Sequence, residues 1–312
     1  MKKTLALVLA LVLVFTLGIA ASVAESNTTA AFKIGVSMKT MSDAYSNKLG
    51  TDIETYAAAT YPGCQLVLLD AKADIATQIS QVEDLIAQKC DVIILNAQDA
   101  DGSGECVVKC KEAGIPCVEV NASTKNTDYV SYIGSNDVEA GEIMGNFIMG
   151  KLGEAGGQIA ILEGNMGQSA QIDRYQGLTN TILAQANIEC VYTITCDWQR
   201  DTALSTTEDI LARFPDLKAL CCENDDMAMG ALQACEANNR SDVIICGIDA
   251  IDDALQAVKD GRLDATILQD HAGQAQQVID VAVKVAAGEQ VESLYYIPFV
   301  LITSDNIGDY LK

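Results

Sequence analysis

The chain has 312 residues, 49% of them hydrophobic and 20% charged, which is enough for one large or two medium domains. Acidic residues outnumber basic ones 43 to 20, for a formal charge of −23, and no basic cluster offsets it, which argues against a nucleic-acid partner. The high apolar content excludes a disordered chain, and a single His argues against His-rich metal sites and a catalytic triad.

The first segment has the pattern of a secretory signal. Two Lys in the first three residues precede the apolar run Leu5–Ala21 and the small residues Ser22-Val23-Ala24. This pattern predicts cleavage after Ala24 and export to the periplasm or beyond the cell. An uncleaved membrane anchor is the alternative, because the apolar run approaches the length of a membrane span. No Cys precedes Cys64, so we expect no lipid anchor beside the signal.

Apolar strands and amphipathic helices alternate along the rest of the chain. Nine segments are predicted as strands: Phe32–Ser37, Gln65–Asp70, Asp91–Asn96, Pro116–Val120, Gln158–Glu163, Cys190–Thr195, Leu217–Cys222, Val243–Gly247 and Ala265–Leu268. Nine are predicted as helices: Ala44–Thr60, Ile75–Lys89, Glu105–Ala113, Val138–Leu152, Gln171–Gln185, Thr202–Phe214, Met227–Ala237, Asp252–Asp260 and Ala272–Ala287. This alternation predicts an α/β fold with doubly wound parallel sheets. The pattern restarts near Asp128–Ser135, where we place a first crossing between two domains.

Eleven cysteines are unusual enough in an exported chain to need an explanation. No CxxC occurs, and Cys106-x-x-x-Cys110 has no partner pair at zinc-like spacing. Four cysteines lie in apolar strand-like runs: Cys117, Cys221, Cys222 and Cys246. We therefore expect mostly free core thiols rather than a disulfide framework, with no metal site and no cofactor.

Polar side chains cluster where the predicted strands end. The segments are Asn96–Asp99, Asn121–Ser123, Glu223–Asp226, Gly247–Asp249 and Gln269-Asp270. In doubly wound sheets, ligands bind outside the carboxyl ends of the strands. Amides and carboxylates there suit neighbouring hydroxyl groups, whereas phosphate binding would call for a Gly-rich loop and no added negative charge.

Several of these stretches, in this order and spacing, resemble a known family. They are Glu223–Leu232, Cys246–Ala254, Tyr132–Asp137 with Ala140-Gly141, and Gly261–Asp270. From about Phe32 to its end, the chain resembles the exported sugar-binding proteins of ABC transporters. These are type I periplasmic binding proteins, here of the ribose and galactose/glucose branch. The resemblance implies two lobes joined by a three-strand hinge, with residues 32–134 plus 270–297 in the first and 135–269 plus 298–312 in the second.

The resemblance also implies a set of sugar-binding residues. Polar ligands are expected at Asp43, Asn121, Asn224, Asp249 and Gln269, and aromatic rings covering the two sugar faces at Tyr45 and Trp198. Asn96, at a strand end, is a further candidate, with capping of the next turn as the alternative. The family places an Arg in the region 171–174, which Arg174 would supply unless a loop shift puts Ile172 there instead.

Other interpretations of these residues are structural. Asn224 and Asp249 each precede a helical run and would serve as N-caps, Trp198 would pack between the lobes, and Tyr45 would belong to the core face of a helix. Sugars, however, have apolar C–H faces and a rim of hydroxyls, which aromatic rings and planar amides or carboxylates suit. Departures from the galactose/glucose branch bear on which sugar is bound: Gln168 and Ala170 replace a His and an Asp, and a calcium loop is not found.

The sequence thus predicts a monomeric binding protein, not an enzyme, that delivers a monosaccharide to an ABC permease. The ligand would be a hexose such as galactose or glucose, or a related pentose or polyol. Alternatives are an inositol or an autoinducer-type furanose as ligand, and a chemoreceptor as a further membrane partner. A secreted glycosidase fits less well, because no carboxylate pair sits in an identifying motif. A sensor of the lactose-repressor type would need a DNA-binding module where Met1–Ala24 forms the export signal.

Overall fold

The computed structural model describes residues 31–311, so the predicted signal segment Met1–Ala24 lies outside the described residues. No helix between residues 31 and 311 is long and apolar enough to cross a membrane. Strands and helices alternate as predicted, in an α/β fold built mainly from parallel strands.

The first sheet has six strands in the order β11-β5-β4-β3-β1-β2, and every neighbouring pair is parallel. The strands are β1 (Lys33–Met38), β2 (Gln65–Asp70), β3 (Val92–Leu95), β4 (Cys117–Val120), β5 (Ser131–Gly134) and β11 (Leu294–Tyr296). Helices α1 (Ala44–Thr60) and α9 (His271–Ala286) pack on one face, and α2 (Ile75–Ala87) and α3 (Gly104–Ala113) on the other. All four residues of β3 are buried, as expected for a strand between two helix layers.

The second sheet has four parallel strands in the order β7-β6-β8-β9. The strands are β6 (Gly157–Glu163), β7 (Ile188–Thr195), β8 (Leu217–Cys222) and β9 (Ile244–Cys246), and two isolated bridges join β9 and the loop after it to the segment of β10 (Thr266–Leu268). Helices α4 (Asp137–Leu152) and α5 (Ser169–Asn180) pack on one face, and α6 (Arg200–Arg213), α7 (Asp225–Ala237) and α8 (Asp252–Lys259) on the other.

Strands β11 and β12 (Val300–Ile302) were not predicted. Strand β11 lies at the edge of the first sheet with two of its three residues exposed, and β12 pairs with β10 alone. Strand β12 pairs with β10 and is antiparallel to it, a departure from purely parallel sheets. Strands β10 and β12 form a separate two-stranded sheet beside the second sheet. In all, the chain passes between the sheets three times, after β5, after β10 and after β11.

One predicted helix is shorter than expected. The segment Gln171–Gln185 forms α5, which ends at Asn180, and then a separate 3₁₀ turn, Ile182–Ala184. Thr181 lies between them with non-helical dihedral angles, and its hydroxyl donates to the carbonyl of Gly177 over 2.8 Å. A Thr hydroxyl that bonds the preceding turn competes with the helical pattern, which explains the break.

Most of the cysteines are core residues, as the sequence predicts. Nine are buried free thiols: Cys90, Cys106, Cys110, Cys117, Cys196, Cys221, Cys222, Cys235 and Cys246. Burial raises the pKa of the Cys106 and Cys235 thiols to about 12. A thiol that stays protonated is a poor nucleophile, so these two behave as small apolar side chains.

Candidate functional site

A cavity lies where the carboxyl ends of strands from the two sheets face each other. Together with the open solvent at its mouth, it spans about 340 Å³ of space not filled by protein atoms. Eleven residues line it: Lys39, Asp43, Tyr45, Ser46, Asn121, Ala170, Arg174, Trp198, Asn224, Asp249 and Gln269. The structure therefore brings together eight of the nine candidate residues, all but Asn96.

The elements around this cavity touch each other across the gap between the sheets. The contacts that join them include Lys48 Nζ to Asp252 Oδ1 at 2.7 Å, the Ala100 amide to the Gly167 carbonyl at 2.9 Å, and the Ser123 amide to Ser169 Oγ at 3.1 Å. Each contact connects an element of the first sheet to an element of the second. The cavity is therefore bounded by elements of both sheets.

Asn96 does not line the cavity, although Asn121, which it contacts, does. Its side chain is fully buried behind Asn121, donating to Asn121 Oδ1 over 3.3 Å and to the Val120 carbonyl over 3.0 Å. Its Oδ1 accepts the backbone amide of Lys39 at 3.3 Å. The strand end therefore points this amide into the protein, where it supports two residues of the cavity wall.

The two aromatic side chains come from opposite sheets. Trp198 follows β7 with a positive φ of 62°, and its indole N–H donates to Gln168 Oε1 over 2.8 Å. Tyr45 lies in the first turn of α1, and its hydroxyl is buried without a hydrogen-bond partner among the described residues. Both side chains are at most 7% exposed. A hydroxyl that lacks a protein partner is free to pair with a bound polar group.

Arg174 is the most heavily bonded side chain of the site. Its Nε lies 2.9 Å from Asp137 Oδ1, and its terminal nitrogens donate to the Glu223 carbonyl and, over 3.3 Å, to Gln269 Oε1. Burial opposes the charged form of Arg174, but its carboxylate neighbours, Asp137 first, raise its pKa on balance. Ile172, the alternative occupant of this position, is 41% exposed and is not among the cavity residues.

Close packing of two helices positions this ion pair. Gly141 of α4 lies against α5 so tightly that a Cβ there would come within 2.1 Å of the Arg174 carbonyl and 2.9 Å of Gly177 Cα. Asp137 is the first residue of α4, and Arg174 lies in α5. Glycine at the crossing therefore lets the two charged side chains meet.

Asp249 is held in an unusual backbone conformation, with φ at 124°. Burial raises the pKa of Asp249 well above its usual range, and the positive charge of Arg174 offsets only part of that effect. A strained, buried carboxyl group at the cavity wall is the kind of feature that a functional requirement retains.

Two polar residues of the cavity wall, Asn224 and Asp43, are also helix N-caps. The sequence analysis offered this role for Asn224. Asn224 Oδ1 accepts the Met227 amide at 2.9 Å, and Asp43 Oδ1 accepts the Ser46 amide at 2.7 Å. The remaining oxygen of Asp43 and the amide group of Asn224 leave further bonding capacity at the cavity. Asp249 was also considered as a cap, but Ile251 is the residue at the N-cap of α8.

Gln269 contributes a buried donor. Its Oε1 accepts from Arg174, while its Nε2 has no partner among the described residues. The side chain is 1% exposed, so bulk water does not readily satisfy this group. An amide nitrogen that lines a cavity without a partner can donate to a hydroxyl oxygen placed there.

Sequence reasoning missed Lys39 and Ser46, and it named Ala170 only as the replacement of a family Asp. Lys39 directly follows β1 at the same edge of the sheet as the predicted polar residues. The rule that identified the others would have included it, but a Lys is an ordinary surface residue in most sequences. Here it is 7% exposed, and burial lowers its pKa, while Asp43 and Asp249 act in the opposite direction.

No group of three or more His, Cys, Asp or Glu side chains within residues 31–311 is arranged to hold a metal ion. The cavity instead combines two aromatic rings, two cations, two carboxylates and three side-chain amides. This arrangement is that of a recognition site for a small polar molecule.

Comparisons with known proteins identify the class. The family model of the periplasmic binding protein domain matches residues 34–290, so the chain belongs to the periplasmic binding protein family. A putative rhizopine-binding protein of Rhizobium meliloti is 35% identical over 304 residues, covering 95% of this chain and 98% of that protein. A xylitol-binding protein of Mycolicibacterium smegmatis is 36% identical over 279 residues, covering 88% of this chain and 78% of that protein.

A solved structure shows the same fold. It is an ABC transporter solute-binding protein from Bacillus halodurans with bound myo-inositol. It superposes with a TM-score of 0.86 at 32% identity and covers 91% of this chain and 99% of its own. These similarities confirm the predicted family and its type of fold.

Proposed function

We propose that this protein captures a small, uncharged, polyhydroxylated molecule in the cavity between its two sheets and delivers it to an ABC permease. The observation that carries the proposal is the composition of the cavity wall. Trp198 and Tyr45 supply flat apolar faces, while Asn121, Asn224 and Gln269 supply amides that pair with hydroxyl groups. Sugars and cyclic polyols present these two kinds of surface together.

Charge at the wall supports an uncharged ligand. Two cationic side chains, Lys39 and Arg174, lie beside two carboxyl groups, Asp43 and Asp249, so the wall carries groups of both signs. Arg174 is in addition paired with the buried Asp137. Arg174 thus already has a carboxylate partner within the protein, so no charged ligand is needed to compensate it.

The ligand class includes hexoses such as galactose and glucose, pentoses and polyols. Two relatives are named for rhizopine and xylitol, and the similar solved structure holds myo-inositol. These names support placing inositols and open-chain polyols beside aldoses and autoinducer-type furanoses as candidates.

We further propose that capture proceeds by hinge closure. The lobes would be residues 32–134 plus 270–297 and residues 135–269 plus 298–312, moving about the three passages between the sheets. A ligand that touches both lobes binds the closed form more tightly and shifts the open–closed population toward it. The closed form then docks on the permease, or on a chemoreceptor if the protein also serves in chemotaxis.

Membership of this family supports export, and we propose that Met1–Ala24 is removed when the protein reaches the periplasm or the cell exterior. Mass spectrometry of the protein secreted by its host tests this directly. A mature N-terminus at Glu25 supports the proposal, and an intact Met1 contradicts it.

The experiment that tests the binding function is calorimetric titration. The protein is unfolded and refolded first, to remove any ligand carried through purification. It is then titrated with myo-inositol, xylitol, galactose, glucose, ribose, allose and a furanose. We expect one-to-one binding of at least one of them, with a dissociation constant in the micromolar range or below. Heat that continues at a constant rate, as in enzymatic turnover, or no heat with any compound, contradicts the proposal.

A further inference from the structure

Gln168 lies at the N-cap of α5 and is 2% exposed. Its Oε1 accepts two hydrogen bonds, one from the Trp198 indole N–H at 2.8 Å and a longer one from Lys39 Nζ at 3.4 Å. Gln168 is not among the residues that line the cavity. It therefore acts on the site through two residues that do.

The chemistry of the two partners determines how the amide is oriented. An indole N–H and an ammonium group can only donate, so both require the oxygen of the amide and not its nitrogen. A carbonyl oxygen has two lone pairs and can accept both donors at once. The two donors therefore fix the orientation of the Gln168 amide. Because the side chain is buried, water does not readily replace its oxygen as the acceptor.

The two donors come from opposite sides of the cavity. Trp198 follows β7 in the second sheet, as Gln168 itself follows β6, whereas Lys39 follows β1 in the first sheet. If the lobes separate, the bond to Trp198 remains within one lobe and the bond to Lys39 breaks. The same oxygen thus belongs to one permanent contact and to one contact that exists only in the closed arrangement.

We propose that Gln168 is a positioning residue that fixes the Trp198 ring against the cavity and ties it to Lys39 of the opposite lobe on closure. The role of Gln168 in lobe closure rests on the binding function proposed above. Removing the amide lets the ring rotate and removes one lobe–lobe contact, so a bound ligand leaves faster.

The test uses Gln168→Met, which keeps the length of the side chain and removes both bonds, and Gln168→Glu, which keeps an acceptor. Because Trp198 is the chain's only Trp, protein labelled with ¹⁵N-tryptophan gives a single indole N–H resonance. We expect that resonance to shift upfield in Gln168→Met without any ligand, and to stay near its original position in Gln168→Glu. Gln171→Met is the matched control, because Gln171 is a buried amide of the same helix whose bonds, to Glu163 and to the Gly167 amide, both lie within the same lobe.

Closure is measured by stopped-flow dissociation of myo-inositol, or of the tightest ligand in the calorimetric panel. We expect Gln168→Met to release it about tenfold faster, the effect of losing about 1.4 kcal/mol of hydrogen bonding. Gln168→Glu and Gln171→Met should stay within about twofold of wild type.

An unshifted indole resonance in Gln168→Met overturns the positioning role. An unchanged dissociation rate overturns the role of Gln168 in lobe closure. If no compound binds the wild-type protein, the proposed function fails and the role of Gln168 in closure fails with it. The indole resonance, which is measured without ligand, still decides the positioning role.

Discussion

Arg174 Nε lies 2.9 Å from Asp137 Oδ1, and both side chains are 4% exposed. The pair joins the first residue of α4 to the middle of α5 and places the guanidinium 5.6 Å from the centre of the Trp198 ring. A buried charge pair of this kind contributes little net stability as a pair, but it becomes costly when one partner is removed.

We therefore expect Arg174→Met to lose both binding and stability. The substitution leaves Asp137 buried without its partner, which should lower the free energy of unfolding by about 3–5 kcal/mol. Urea denaturation measures the loss, and calorimetric titration should show no ligand binding. Ile172→Ala on the same helix is the control, because its side chain is exposed. Comparable losses in both variants would contradict the assignment of Arg174 to the site.

Replacing Trp198 by Leu should weaken binding by about fivefold or more, because the ligand loses a flat face worth at least about 1 kcal/mol. The dissociation constant from calorimetry checks this. Tyr192→Leu is the matched control, since Tyr192 is an aromatic residue of the preceding strand whose ring contacts are with Phe214 and Arg213. Equal affinities of wild type and Trp198→Leu would show that the ring does not face the ligand.

The crossing of α4 and α5 provides a stability test with an internal control. Gly141→Ala would place a methyl group against the Arg174 backbone, where the nearest atoms cannot easily move, and should cost about 1–3 kcal/mol. Gly150→Ala lies on the same helix with open space around it and should instead stabilise by about 0.5–1 kcal/mol. Urea unfolding of both variants gives the comparison. Similar effects of the same sign would contradict the packing described for Gly141.

Stability should fall as the pH rises from about 4 to 8. Burial raises the pKa of Glu119 to about 8 and that of Asp225 to about 7, whereas the unfolded chain releases these protons near pH 4. Between those values the folded protein holds protons that the unfolded chain has lost, so raising the pH favours unfolding.

The pH effect is measured as the midpoint of thermal unfolding between pH 5 and 9. Glu119→Gln keeps an acceptor for Thr124, whose hydroxyl donates to Glu119 Oε1 over 2.7 Å, and should flatten the pH dependence. Glu208→Gln, at an exposed position of α6, should leave it unchanged. A slope in Glu119→Gln as steep as that of wild type would show that this carboxyl group is already ionised in the folded protein.

Much of this architecture could be predicted from the sequence because its signals are local. Runs such as Val92–Leu95 identify strands, and polar residues after them identify the edge where Asn121, Trp198 and Asp249 meet. The direction in which a side chain points at a strand end is not a local property. The side chain of Asn96 therefore points into the protein, where it bonds residues of the cavity wall instead of lining the cavity.

Long-range packing accounts for the other misses. Lys39 looks like a surface residue until the second sheet covers it, and its burial depends on residues more than 100 positions away, such as Gln168. Strand β12 is defined by its pairing with β10, a long-range contact that the local sequence of β12 does not indicate. These features depend on how the two sheets meet.

The most direct test of the whole account is the fluorescence of Trp198 during titration with the polyol or sugar that binds best. As the chain's only tryptophan, it reports on the cavity alone. We predict a saturable change in emission whose midpoint equals the calorimetric dissociation constant and which Asp249→Ala abolishes. Binding heat without any change in the emission of Trp198 would show that the ligand binds elsewhere and would contradict the account.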